Sequence, residues 1–153
     1  MSNCYDVHWY GPHSLDHVEV LDDPNLVLYM LCGTHGMYGK NVPLYIGKTL
    51  RTVSARMKEH LWIGHEPDPV QVYAAAVSRK FSRWDEIQNE IEYPPPENSI
   101  VERLESLLIY AHQPVYNVRS KGNVGLVEND FVIFNTGRRS TLLPEVSTMY
   151  WYR

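Results

Sequence analysis

Apolar and polar positions along the chain fall into two periods, one of strands and one of helices, and the boundaries between them are marked by glycine and proline. NLVLYMLC (25–32) is an apolar run of strand length after a Pro-Asn break, and GTHGMYGKN is the glycine-rich connection that follows it. VPLYIG (42–47) then reads as a second strand, so the two runs suggest a hairpin. Thr49 or Thr52 can cap a helix extending to about Ile63, with Val53, Met57 and Leu61 as its buried stripe. VQVYAAAVS (70–78) reads as a third strand. SRWDEIQNEI (82–91) reads as a short amphipathic helix, which the prolines of YPPPEN must end. SIVERLESLLIYAH (99–112) is the clearest helix, and FVIFNTGRRSTLLPEV (131–146) predicts two short strands around an Asn-Thr-Gly turn.

A chain of 153 residues with 44% hydrophobic and 21% charged residues fits one soluble globular domain with a real core. No apolar run approaches the ~20 residues of a membrane helix, and the N-terminus lacks the order of a secretory signal. The expected location is the cytoplasm, with no membrane partner. Two cysteines, Cys4 and Cys32, have neither a zinc spacing nor a disulfide framework and are expected to be reduced. The net charge of −4 weighs against nucleic acid, since phosphate binding draws on Lys and Arg. Its distribution changes the picture: five acids and no base precede Pro24, which leaves the rest of the chain near neutrality and able to carry a basic face.

Four features of the middle of the chain point to chemistry. Arg56 and His60 are four apart on a predicted helix and share a face beside its buried stripe. Tyr29 and Tyr45 lie in successive strands and can meet on one face of a hairpin. Lys48 follows Gly47, where a residue without a side chain permits close approach. On the last helix, Ser99 and Glu102 have capping-box spacing, so Glu102 is expected to be structural. Glu105 has mostly apolar neighbours and should emerge at the margin of the core, where a carboxylate needs a cation or hydrogen bonds. It is therefore the expected metal-binding carboxylate. Arg51, Lys58, Arg79, Lys80, Arg83, Arg138 and Arg139 are candidate contacts to DNA phosphates.

In their order and spacing, LYM ending its tyrosine at Tyr29, YIGKT from Tyr45, Arg56 with His60, Glu105 within ERLESLLI, and QPVYN ending at Asn117 resemble the GIY-YIG nucleases. The first motif departs from the family name, reading Val27-Leu28-Tyr29. The resemblance implies an α+β fold: a small three-stranded antiparallel sheet flanked by helices at 25–118, preceded by an acidic extension (1–24) and followed by a segment (119–153) adding a β-hairpin. It also implies a metal-dependent DNA endonuclease, in which water attacks a phosphodiester in line and leaves a 5′-phosphate and a 3′-hydroxyl. Tyr29 or Tyr45 would deprotonate or orient the water with help from Lys48 and His60. Arg56 would stabilise the transition-state charge, Glu105 would hold one divalent ion, Mg²⁺ or Mn²⁺, and Asn117 would fix local geometry. The missing zinc module and the short C-terminal segment point to a compact stand-alone member, restriction-like or from a phage or mobile element. Double-strand cutting would favour a homodimer. The competing class is an inactive binding module, with the acidic N-terminal segment docking a partner or masking the site. A free tyrosine has a pKa of roughly 10, so a phenolate at pH 7 costs about 4 kcal/mol without nearby cations.

Overall fold

The computed structural model describes residues 3–82, 92–94, 96–122 and 130–150. Six strands form a mixed sheet: β1 (Asn3–Ser14), β2 (Leu26–His35), β3 (Gly39–Lys48), β4 (Gln71–Val77), β5 (Phe131–Gly137) and β6 (Glu145–Ser147). Their order is β3-β2-β4-β1-β5-β6, so β3 is an edge strand. Two α-helices, α1 (Val53–Glu59) and α2 (Asn98–His112), lie among the described residues. None of the described helices is long and apolar enough to cross a membrane.

This architecture corrects the expected three-stranded sheet. Antiparallel β2, β3 and β4 do form at the predicted runs, but they are only half of a larger, curled mixed sheet. The segment before Pro24 supplies β1, which pairs antiparallel with β4 and parallel with β5. Tyr5, Val7 and Trp9 point to one apolar face, while Asp6, His8 and Tyr10 alternate to the other. The buried Asp6 carboxylate accepts hydrogen bonds from Thr136 Oγ1 (2.8 Å) and from the Tyr93 hydroxyl. Its polar alternation hides the strand from a hydrophobicity reading. The parallel partner lies more than a hundred residues away, where no local pattern can announce it.

The C-terminal strands β5 and β6 pair antiparallel, as a hairpin should, but the turn is not at Asn-Thr-Gly. Those three residues belong to β5. Asn135 is buried there because its side chain accepts from Trp9 Nε1 (3.0 Å) and donates to the Leu143 carbonyl (2.8 Å). A residue whose polar groups are met inside the sheet has no need of a turn.

Two cores lie on opposite faces of the sheet. On one, Val101, Leu104, Leu107 and Leu108 of α2 pack over Tyr5, Val7, Trp9, Leu28, Met30 and Ile133. On the other, Val53 and Met57 of α1 join Val18, Leu21, Leu31, Leu44 and Val72. Asp22 ties α1 down, accepting from Ser54 N (2.9 Å) and Ser54 Oγ (2.5 Å) at the positive end of the helix. Thr52 is the N-cap and accepts from Ala55 N (3.2 Å). The helix ends at Glu59, short of Ile63; His60 leaves helical geometry (ψ 79°) and a 3-10 turn, Leu61–His65, follows. Leu61 is consequently 82% exposed instead of buried, and Ile63 takes the core position. The expected helix at 82–91 lies, apart from Ser82, outside the described residues.

Candidate active site at the edge of the sheet

The edge strand β3 carries a bulge. Leu31 opposes Tyr45 and Cys32 opposes Pro43, so Leu44 is the extra residue. Leu44 and Tyr45 therefore both turn to the α1 face, while Ile46 joins the α2 face. This places the Tyr45 ring against Tyr29, centroids 6.0 Å apart and nearly parallel. Gly47 lies directly opposite Tyr29, and a Cβ there would come within 2.5 Å of the Tyr29 ring and hydroxyl. The glycine is thus required by Tyr29 itself, not by an approaching ligand.

Tyr29 is fully buried and joins two residues of the α1 region. Its hydroxyl lies 2.7 Å from His60 Nε2, and Arg56 Nη2 donates to it at 3.4 Å. Burial raises the Tyr29 pKa well above its ordinary value and Tyr45 adds to the effect, while Arg56 opposes it. The phenol therefore stays protonated and donates to Nε2, which puts the imidazole hydrogen on Nδ1. Burial, and then the charge of Arg56, lowers the His60 pKa, so the ring is neutral at pH 7. Arg56 Nη1 also meets Glu59 Oε2 at 2.5 Å, but its Nε is buried with no hydrogen-bond partner among the described residues. Such a donor costs about 1–3 kcal/mol where nothing completes it.

Around the β3 edge, a cleft of about 500 Å³ is lined by Tyr45, Lys48, Arg51, Arg56, Glu105, Asn117 and Arg119, among others. Glu105 enters from α2 and Arg56 from α1, so the cleft takes groups from both faces of the sheet. Glu105 is half-buried; burial raises its pKa, and the charge and backbone amide of Lys48 partly offset this. Asn117 is bound to the strand itself: its Oδ1 accepts from Ile46 N and its Nδ2 donates to Ile46 O, both at 2.9 Å. Together with Tyr116 N donating to the Leu44 carbonyl (2.8 Å), this amide closes part of the open edge and fixes the backbone next to Lys48.

Glu102 is exposed and structural, as expected, but not through a capping box. Helix α2 begins at Asn98 with Glu97 as N-cap, so Ser99 caps nothing, and Glu102 instead holds Lys48 Nζ at 2.6 Å. That ion pair keeps the Glu102 pKa below the usual carboxylate value. Glu59 plays the same part on the other side of the cleft, pairing with Arg51 as well as Arg56. Lys48, Arg51 and Arg56 thus rest against the carboxylates of Glu102 and Glu59.

Tyr45, Lys48, Arg51, Arg56, Glu105 and Asn117 therefore share one cleft, with Tyr29 and His60 hydrogen-bonded behind Arg56. Other expected phosphate contacts lie elsewhere. Lys58 is exposed on α1, and Lys80 and Arg79 follow β4, the latter paired with Glu92 at 2.9 Å. Arg138 and Arg139 line a separate cavity of about 410 Å³ with Asn41, Tyr73, Ser140 and Thr141. Arg83 lies outside the described residues. Arg119, Tyr116 and Glu59 were missed by sequence reasoning. Glu59 was readable from its three-residue step to Arg56, and Arg119 from its position two residues beyond Asn117.

The described residues hold no group of three or more His, Cys, Asp or Glu arranged to grip a metal. A Mg²⁺ ion does not require one, because it keeps several waters and uses one or two carboxylates with substrate phosphates. The half-buried Glu105 carboxylate, a hard oxygen donor that ion pairing has not claimed among the described residues, fits that mode of binding. No family model matches the sequence, and neither a curated protein nor a solved structure matches it.

Proposed function

We propose that the β3-edge cleft is the active site of a metal-dependent DNA endonuclease of the GIY-YIG type. The observation that carries this reading is Arg56: a guanidinium with one buried, unmet donor lines the same cleft as the half-buried carboxylate of Glu105. A transferring phosphate needs that pair of features, positive donors on its oxygens and a hard ligand for a divalent ion.

In this mechanism the partly exposed guanidinium of Arg56 donates from its Nη groups to a non-bridging phosphate oxygen, with Lys48 and Arg119 on neighbouring oxygens. Its orientation is set by Tyr29 and Glu59. Tyr45 faces the cleft, whereas Tyr29 is enclosed; Tyr45 is therefore the hydroxyl that orients the attacking water, and Tyr29 is a positioning residue. Neutral His60, whose ring lies 4.5 Å from that of Tyr45, has its Nε2 lone pair taken up by the Tyr29 hydroxyl and its hydrogen on Nδ1, so it assists by positioning the two tyrosines, and the attacking water's proton passes to bulk water. Glu105 would hold Mg²⁺, which supplies Lewis-acid stabilisation of the phosphate when bound. Water bonds to phosphorus, the bond to the 3′-oxygen breaks, and a 5′-phosphate and a 3′-hydroxyl result. Cys32 is buried and outside any disulfide among the described residues, which suits a reducing compartment, and the cytoplasm is part of the proposal.

The ion pairs at Glu59 and Glu102 favour a second reading, a binding module whose neutralised cleft never turns over. Incubating supercoiled plasmid with Mg²⁺ or with EDTA separates the two. The nuclease reading expects nicked and linear DNA whose ends are joined by a ligase requiring 5′-phosphate and 3′-hydroxyl. A folded protein that binds DNA and leaves every plasmid intact favours the module.

A further inference from the structure

The cleft contains side chains that phosphate chemistry does not use. Leu50 and Val118 line it at 74% and 90% exposure, and Tyr116 at 38%. The Tyr116 ring lies 4.7 Å from that of Trp62, and the Glu66 carboxyl beside its hydroxyl raises its pKa. Trp62 in turn lies 5.9 Å from His60, whose ring is 4.5 Å from Tyr45. A row of rings thus runs from beside Arg56 to the cleft mouth, where two aliphatic side chains stand in water.

The outside of a DNA duplex presents phosphates and sugars, and its bases are stacked within. An aromatic and aliphatic patch bordered by Lys48, Arg51, Arg56 and Arg119 suits a nucleotide whose base has left the stack. The cations meet the phosphate, and the base finds a π-face and apolar edges. We infer that Tyr116, Leu50 and Val118 form a platform for an unstacked nucleobase adjoining the scissile phosphate, so that the strand cut is single, flapped or locally opened at that point. The inference rests on the nuclease reading for its substrate. A two-fold contact through this patch would set Lys48, Arg51, Arg56 and Arg119 against their own copies, so the charge around it favours a nucleotide over the competing occupant, a second copy of this chain.

The test is binding in Ca²⁺, which removes any dependence on turnover. Oligonucleotides carrying 2-aminopurine at successive positions are titrated as single strands and as perfect duplexes of the same sequence. The expected result is roughly tenfold or greater preference for the single strand, with quenching of the fluorescent base. Tyr116→Ala and the double variant Leu50→Ser/Val118→Ser should abolish the preference while duplex affinity stays within about twofold, and Tyr116→Phe should retain it. Equal affinity for both forms, no binding of either, or a preference that survives the substitutions overturns the platform. A concentration-dependent dimer lost in Leu50→Ser/Val118→Ser, without change in DNA preference, assigns the patch to self-association and also overturns it. Cleavage of the same oligonucleotides in Mg²⁺ is scored separately, so failure of the platform and failure of the nuclease reading give different results.

Discussion

Among the described residues, two cavities of similar size are flanked by arginines, one at the Lys48 end of β3 and one near Asn41, and only the first sets its arginines beside a lining carboxylate. The cleft at the Lys48 end, about 500 Å³, combines Arg56 with Glu105 and takes one from each face of the sheet. The cavity near Asn41, about 410 Å³, has Arg138 and Arg139 beside hydroxyls and an amide, with no carboxylate among its lining residues. Arg139 spends a donor on the Leu142 carbonyl (2.6 Å), whereas Arg56 has a buried donor with no described partner. On the proposed reading, charge and volume alone do not mark an active site. The juxtaposition of a carboxylate with an unmet cationic donor is the discriminating feature.

If this contrast is correct, removal of Arg56 has the largest effect. Arg56→Ala should lower the cleavage rate by about 10²–10³-fold, as loss of one preorganised donor does, with the fold intact by circular dichroism. Next in size is Asn117→Ala. It strips both backbone groups of the buried Ile46 of their partners, which should cost about 2 kcal/mol and lower Tm by roughly 4–8 °C in a calorimetric scan. Gly47→Ala forces Tyr29 to move, and overpacking of this kind costs about 1–3 kcal/mol. Denaturant midpoints check that value, and single-turnover rates should fall with it because Arg56 loses its positioning partner.

The pH dependence follows from Glu105. Its folded pKa is raised, so the folded state is relatively favoured at low pH, and that advantage is lost as pH rises through the folded value. Glu105→Gln should therefore stabilise the protein at neutral pH, and the gain should disappear as pH falls toward the unfolded carboxylate pKa near 4.5. Thermal melts at several pH values read this out. The smallest effect belongs to the other cavity: Arg138→Ala should change binding by less than about tenfold, flatten its salt dependence by about one phosphate, and leave the single-turnover rate unchanged.

Much of the site was legible because it is local. Tyr45 to Lys48 and Arg56 to His60 lie within single turns of chain, and Glu105 declares itself by the apolar neighbours three and four positions away. The cleft also draws on contacts that span the chain. Nothing near Leu44 announces the bulge that turns Tyr45 toward Tyr29, and nothing near Glu102 announces Lys48, fifty-four residues away. The sheet was half legible for the same reason. The hairpin β2-β3 shows in its apolar runs, whereas β1 carries Asp6 and His8 on one side and depends on Thr136 and Tyr93 to bury them. The Gly47 position illustrates how a correct signal can carry the wrong cause. Close approach is required there, but the approaching group is the protein's own tyrosine.

The central claim is that Glu105 and its cleft, not the Arg138 cavity, carry out metal-dependent hydrolysis. The most direct measurement is the single-turnover nicking rate of supercoiled DNA in Mg²⁺ for the wild type, Glu105→Gln and Arg138→Ala, with folding of each confirmed. The account predicts cutting by the wild type and Arg138→Ala at equal rates, and a loss of roughly 10³-fold or more in Glu105→Gln, whose side chain no longer offers a charged ligand. Cutting that survives Glu105→Gln, or that is lost equally in Arg138→Ala, would contradict it.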